Sequence, residues 1–190
     1  LIGNVDASQL TGALDITTAN NSDADTIAVE LGSGLSSVDA YVNDIVTIDA
    51  ELQDDDDVLS LTGDGAFVVN NQQGDIDAGA GTGTLTVSVQ APTDNTITVN
   101  SDRTTTIKAG KLDADNTLVL EGSGDITVAR SSDGSSGAAD TDGLRARTLD
   151  ASTSTGDIVI ETAPIAGSGA TAAGAYLDVT TGSGDFTIDA

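Results

Sequence analysis

Aspartate is the residue type in this chain that is best suited to binding an ion or taking part in a reaction. The sequence has 31 acidic residues against six basic ones, a net charge of −25, and most of the acids are Asp rather than Glu. Carboxylate oxygens in irregular corners are the ligands that Ca²⁺ prefers in proteins. Three Asp clusters precede strand-like segments and are therefore candidate calcium sites. Their members are Asp23, Asp25, Asp54, Asp55, Asp56, Asp57, Asp113 and Asp115.

The spacing of these clusters suggests that they stack. If equivalent corners of successive units lie above one another, Asp23 and Asp25 come within about 5 Å of the run 54–57. At that distance each pair of like charges costs ~1 kcal/mol in water, which a bound cation would offset. The alternative is a solvated acidic corner neutralised by diffuse counterions. No EF-hand loop or nonapeptide calcium repeat is present, and Gly122-Ser-Gly-Asp125 is interpreted as a tight corner.

Composition excludes several other functions. There is no His and no Cys, so neither a Ser-His-Asp triad nor thiol chemistry is available. Phosphate binding needs clustered bases, which argues against a nucleic-acid partner. No apolar run is long enough for a membrane-inserted helix. The bases are expected to pair with neighbouring Asp residues: Arg103, Lys108, Lys111, Arg130, Arg145 and Arg147.

Internal repeats must position these residues. A shift of 59 residues lays 103–109 over 44–50 and 118–128 over 59–69, and a third copy spans 157–188. This pattern predicts units of about 30 residues, each with three short strands. The units are expected to begin near Ala13, Asp44, Asp75, Arg103, Arg130 and Asp157.

Strict alternation of apolar and polar residues within the segments predicts half-buried strands. The whole chain, 1–190, is predicted to be one all-β domain: a parallel β-solenoid of about six coils of ~30 residues. An antiparallel β-sandwich is the alternative. Gly-x-Gly corners recur at 32–34, 63–65, 122–124 and 182–184, and the core is expected to consist of Val, Ile, Leu and Ala. These two features favour the solenoid.

The ends of such a rod would be unpaired strand edges that invite further pairing. The chain begins at Leu1 rather than Met and finishes on the strand-like segment 186–190. We therefore expect a segment of a longer fibre, or a subunit that associates with itself end to end or side by side.

The strings 106–112 and 118–129 resemble the coil repeats of filamentous-haemagglutinin-like and other giant bacterial surface adhesins. That resemblance implies a β-helix, export to the cell surface and a structural or adhesive role. The predicted units are longer than the coils typical of that family, and they are richer in Asp.

The leading hypothesis is a non-enzymatic, extracellular structural solenoid that forms a surface fibre, surface layer or adhesin stalk, with calcium as a stabilising ion. An alternative is a module that binds carbohydrate or a host surface, for which Tyr41 and Tyr176 supply the aromatic contacts. Two further alternatives are a polysaccharide-degrading β-helix enzyme, which would use paired carboxylates, and an ice-binding solenoid. The latter would use the threonine pairs 84/86, 96/98 and 104/106.

Overall fold

The structure is a computed structural model that describes residues 3–20, 23–54, 56–79, 81–90, 96–112, 115–129, 146, 148–161 and 178–189. Throughout these ranges the regular secondary structure is β-strand. Alternate strands belong to two different sheets, so that one strand from each sheet makes one coil.

Within the described ranges, nine strands form the first sheet, here called sheet A. Its strands are β1 (Val5–Asp6), β3 (Thr26–Glu30), β5 (Ile45–Asp49), β7 (Ala66–Gln72), β9 (Leu85–Gln90), β11 (Thr105–Lys111), β13 (Ile126–Ala129), β15 (Ile158–Glu161) and β17 (Phe186–Asp189). Eight strands in the same ranges form sheet B. They are β2 (Leu14–Thr17), β4 (Ser36–Ala40), β6 (Val58–Gly63), β8 (Asp75–Ala78), β10 (Thr96–Ser101), β12 (Thr117–Glu121), β14 (Thr148–Asp150) and β16 (Asp178–Thr180).

All described strand pairs are parallel, and strands two apart in sequence are neighbours in each sheet. This arrangement confirms the predicted parallel β-solenoid. The antiparallel sandwich is wrong, because its sequential strands would run in opposite directions within one sheet.

Each coil is shorter than the sequence repeat indicated. Ile45 pairs with Ala66, Phe67 with Leu85, and Leu85 with Thr105, so successive coils in this region advance by 18 to 21 residues. Only the last coils approach thirty residues, since Ile126 pairs with Ile158, which in turn pairs with Phe186. The predicted three-strand unit is one and a half coils, and the 59-residue shift is three coils.

Inward-facing side chains form continuous files along the solenoid axis. One file in sheet A has a Val or Ile from every strand: Val5, Val29, Ile48, Val69, Val87, Ile107, Val128, Ile160 and Ile188. Its internal members are fully buried or nearly so. The core is aliphatic, as predicted, with Phe67 as the one fully buried aromatic among the described residues.

The file is open at its last described coil. Ile188 is 51% exposed although it occupies the same position as fully buried Ile160 in the preceding coil. Phe186 and Val179 are only partly buried against the core. The inward face of this coil therefore presents apolar surface that another coil would cover.

Glycine is required where two coils approach at a corner. Gly122 has a φ of +94°, and a Cβ at this position would lie 2.3 Å from the carbonyl oxygen of Ser101. Gly63 has a φ of +82°, and a Cβ there would lie 2.2 Å from the carbonyl oxygen of Ala40. The interpretation of the Gly-x-Gly motif as a tight corner is thus confirmed.

We expect Gly122→Ala to lower the free energy of unfolding by about 2 kcal/mol or more, because it combines a left-handed backbone with a clash against the preceding coil. Gly12→Ala is the matched control, since a Cβ there meets nothing within 4 Å. The control should change stability by less than about 0.5 kcal/mol. Urea denaturation measures both, and equal effects of the two variants would contradict this account of the corner.

Candidate functional site

The predicted calcium ligands are distributed over two different corners of the solenoid. Asp23 and Asp25 precede β3, at a corner where the chain passes from sheet B to sheet A. The run 54–57 precedes β6, and Asp115 precedes β12, at the opposite corner, where the chain passes from A to B. Asp55 and Asp113 lie outside the described residues.

The expected stacking of Asp23 and Asp25 on the run 54–57 is therefore wrong. A shift of one and a half coils carries a residue to the other corner, whereas a whole number of coils keeps it on the same one. Asp57 and Asp115 do share a corner, but three coil spacings separate them, about 14 Å. The described members of the three predicted clusters are thus not brought together.

In the run 54–57, carboxylates accept hydrogen bonds from the turn itself. The Asp54 N–H donates to Asp57 Oδ2 over 3.3 Å, and the Asp56 N–H donates to Asp54 Oδ1 over 3.2 Å. These are bonds of a tight polar turn. Across the described ranges, no group of three or more acidic side chains is placed to hold a metal ion. Calcium binding by these corners stays a prediction.

Elsewhere the aspartates bond one coil to the next. Asp125 Oδ1 accepts the N–H of Asp157 over 3.1 Å, and Asp157 Oδ1 in turn accepts the N–H of Asp185 over 2.9 Å. Asp102 Oδ1 accepts both the N–H and the hydroxyl of Ser123, each over 2.8 Å. These two bonds from Ser123 hold the pKa of Asp102 below its usual value. The bias toward Asp therefore serves contacts between coils, because a short carboxylate reaches the backbone of the adjacent corner.

The same role occurs in a buried form at Asp44, which is 1% exposed. Its carboxylate accepts the hydroxyl of Thr18 and, over 3.2 Å, the N–H of Asp25. Thr18 Oγ1 also accepts the N–H of Tyr41 over 2.8 Å. The corner between β2 and β3 is thus bonded to the adjacent corner between β4 and β5. The sequence signal that pointed to it was the recurrence of Asp immediately before a strand.

Arg103 is the most deeply buried base among the described residues, with 1% of its surface exposed. Its guanidinium donates to three backbone carbonyls of earlier coils: Nε to Gly79 O over 3.0 Å, Nη1 to Gly65 O over 3.2 Å, and Nη2 to Gly63 O over 2.6 Å. The guanidinium also lies over the ring of Phe67, with 5.1 Å between its central carbon and the ring centroid. A planar fork of donors suits three carbonyls in this arrangement.

The expectation that this base pairs with an Asp on the rod surface is wrong for Arg103. Burial lowers the pKa of the guanidinium, and the nearby charge of Asp64 partly offsets that effect. An arginine remains charged in proteins despite such a shift. Arg103 is thus a fixed internal cation that bonds the carbonyl groups of a glycine-rich corner. Lys111 donates to Asn71 Oδ1 over 3.3 Å, and Arg130, Arg145 and Arg147 lie outside the residues whose side chains are described.

An acidic file on the outer face of sheet A was not foreseen. Asp6, Glu30 and Asp49 are direct register neighbours in β1, β3 and β5 and line one shallow groove. Asp49 Oδ1 also accepts the N–H of Glu51 over 3.2 Å and the side-chain amide of Asn71 over 3.1 Å. The sequence pattern does not reveal this file, because a repeat of thirty residues does not align its members, which follow one another after 24 and 19 residues.

Comparison with protein-family models, with curated proteins and with solved structures found no match to this chain. In the described part of the chain, no helix is long and apolar enough to span a membrane.

We expect Arg103→Ala to lower the free energy of unfolding by about 3 kcal/mol or more, because it leaves buried carbonyls without donors and opens a cavity. Arg103→Lys should still cost about 1 kcal/mol or more, since a single ammonium cannot reproduce the fork. Lys111→Ala, an exposed base eight residues away, is the control, with an expected change below about 0.5 kcal/mol. Wild-type stability in the Lys variant would show that the fork contributes nothing.

The calcium hypothesis predicts a higher melting temperature in Ca²⁺ than in EDTA. Asp54→Asn and Asp57→Asn should reduce that difference, because each removes a charged oxygen ligand at the acidic corner. Asp77→Asn, which removes an exposed acid from a strand in sheet B, is the control for net charge. Identical melting curves in Ca²⁺ and EDTA would end the hypothesis.

Proposed function

We propose that this chain is a non-enzymatic structural protein of the cell surface. It forms an extracellular fibre, a surface layer or the stalk of an adhesin, and its coils continue into further coils at the open end. The observation that carries the proposal is the inward Val and Ile file, which stays intact through the described coils and still exposes Ile188 at the last one.

The energetic reason is the surface that this last coil leaves uncovered. Complete burial of an aliphatic side chain gains about 1.5–3 kcal/mol, and Ile188 is half-exposed. The outer edges of β16 and β17 have no further neighbour in the described sheets, and such edges pair readily with additional strands. A further coil, from a longer chain or from a second copy, would bury Ile188 and pair with the edges of β16 and β17.

The placement of the polar groups supports a structural role. The carboxylates of Asp44, Asp102, Asp125 and Asp157 accept hydrogen bonds that join coils, and the one deeply buried base of the described residues, Arg103, bonds to backbone carbonyls. These groups stabilise the rod. The remaining acidic charge would oppose contact between neighbouring rods wherever their acidic faces meet. Export to the cell surface rests on the resemblance of 106–112 and 118–129 to adhesin repeats.

A second candidate is a module that binds carbohydrate or a host surface. It is favoured by a shallow groove at which Tyr41 lies beside Thr17, Asp39 and Asp64. An aromatic ring flanked by hydroxyl and carboxylate oxygens can pack against a sugar and accept its hydroxyl groups. Tyr176 lies outside the described residues.

The fibre proposal predicts filaments or end-to-end chains in electron micrographs of the concentrated protein. Ile188→Asp should shorten or abolish them, because a charge on the open coil opposes burial by another coil. Leu52→Asp is the control, since Leu52 is similarly exposed, at 47%, but lies in a corner of an internal coil. Dispersed monomers at every concentration, or equal loss in the two variants, would count against the proposal.

A further inference from the structure

The outer face of sheet A has an uncharged area in a chain of net charge −25. Two neighbouring files of outward side chains run in register from β3 to β11, and their side chains end in hydroxyl or methyl groups. We call this area the Thr/Val face. Its residues are Thr26, Ala28, Ile45, Thr47, Ala66, Val68, Thr84, Thr86, Thr104 and Thr106.

Several of these side chains are poorly covered. Ile45 is 45% exposed, and Thr26, Ala28, Thr84 and Thr104 are exposed as well. The file through Thr106 continues to Thr127, Val159 and Thr187 without a charge.

The corresponding outer face of sheet B is acidic. Asp15, Asp39, Asp77, Glu121 and Asp150 all lie on strands of that sheet at outward positions. The two faces share the same fold and the same solvent, so strand propensity alone does not explain the difference. Outward acids on the described strands of sheet B are spread over several files, whereas those of sheet A are confined to a single file, which contains Asp6, Glu30, Asp49, Glu161 and Asp189. The two files of the Thr/Val face are therefore free of acids from β3 to β11. An acid-free surface is what a contact with another highly acidic molecule requires, because like charges across an interface oppose association.

The charges that border the Thr/Val face are arranged with opposite signs at its two ends. The bordering file has Glu30 and Asp49 on β3 and β5, and Lys108 on β11. Glu30 and Lys108 are both exposed. Five strands, from β3 to β11, separate an acidic end from a basic end.

We propose that two copies of this chain pack back to back through the Thr/Val face, with antiparallel solenoid axes. The two-fold axis lies in the interface, parallel to the strands and over β7, and it places β3 of one copy over β11 of the other. Because positions along the strands are unchanged by this rotation, the bordering file of one copy lies over the bordering file of the other. Glu30 of each copy then faces Lys108 of the other, while Ile45 faces Thr84. Such an isologous contact forms each complementary pair twice.

The size of the face sets the strength of this contact. Five strands at 4.8 Å by three outward files give a planar area of roughly 400 Å² per copy, which is smaller than a stable specific interface needs. The pair is therefore weak between isolated molecules. It becomes strong when two fibres carry many such faces along their length, because each further contact between the same two fibres is then intramolecular.

This inference rests on the proposed structural role, since it assigns the lateral contact of the same rods. It uses a different surface from the open coil. Ile188→Asp should therefore abolish end-to-end chains and leave the back-to-back pair unaffected, so the two proposals can fail separately.

The test is sedimentation equilibrium of the full chain over a range of concentrations. Wild type should show a reversible dimer. Thr106→Glu should weaken dimerisation about tenfold or more, because it places a charge opposite Ala28 and beside Glu30 of the other copy. Thr117→Glu is the matched control: Thr117 is an equally half-buried outward residue on sheet B, with Thr96 and Thr148 as neighbours. Its dimerisation should change less than about threefold, from net charge alone.

A charge exchange tests the orientation. Glu30→Lys and Lys108→Glu should each weaken the dimer, the first even though it reduces the net negative charge. The double variant, with the net charge of the wild type, should restore it. A monomeric wild type, equal losses in Thr106→Glu and Thr117→Glu, or no recovery in the double variant would overturn the proposal. A wild type that stays monomeric and slows ice recrystallisation through Thr106 would assign the face to ice instead.

Discussion

The inward file of Val and Ile determines how each coil sits on the one before it. Each strand of sheet A contributes one such residue at the same register position, from Val29 through Val87 to Ile160. A slip of one residue would turn the whole set toward solvent, so the register is strongly constrained wherever this file is buried. The corners are constrained far less, which is why coils of different length stack without breaking either sheet.

The same stacking explains how a chain with this charge remains compact. Self-repulsion of 31 acids opposes folding, but several of them accept N–H groups of the adjacent coil, such as Asp125 from Asp157. A carboxylate that accepts backbone N–H bonds is favoured in its charged form. Arg103 contributes the opposite arrangement, a buried cation that bonds to carbonyls. In both cases the ionised group stabilises the contact between coils rather than a surface ion pair.

The sequence predicted the strand class, the parallel stacking and the aliphatic core, because period-two alternation and recurring Gly-x-Gly corners depend on local residue pattern. It did not predict the coil length. Strands of sheets A and B have the same apolar pattern, so the repeat that starts at Asp44 and the one that starts at Asp75 look alike although they belong to different sheets. The error in coil length placed Asp23 above Asp54. The burial of Arg103 also escaped detection, since its partners are backbone atoms of Gly63, Gly65 and Gly79, which no side-chain pattern marks.

The corners between sheet A and sheet B differ widely in length. Two residues join β7 to β8, whereas 18 join β13 to β14 and 16 join β15 to β16, yet Ile126, Ile158 and Phe186 remain in register on the neighbouring sheet. Both long connections follow a strand of sheet A and precede a strand of sheet B, at the same corner of successive coils. This corner therefore tolerates connections of very different length, because the buried files, and not the connections, fix the register of the flanking strands.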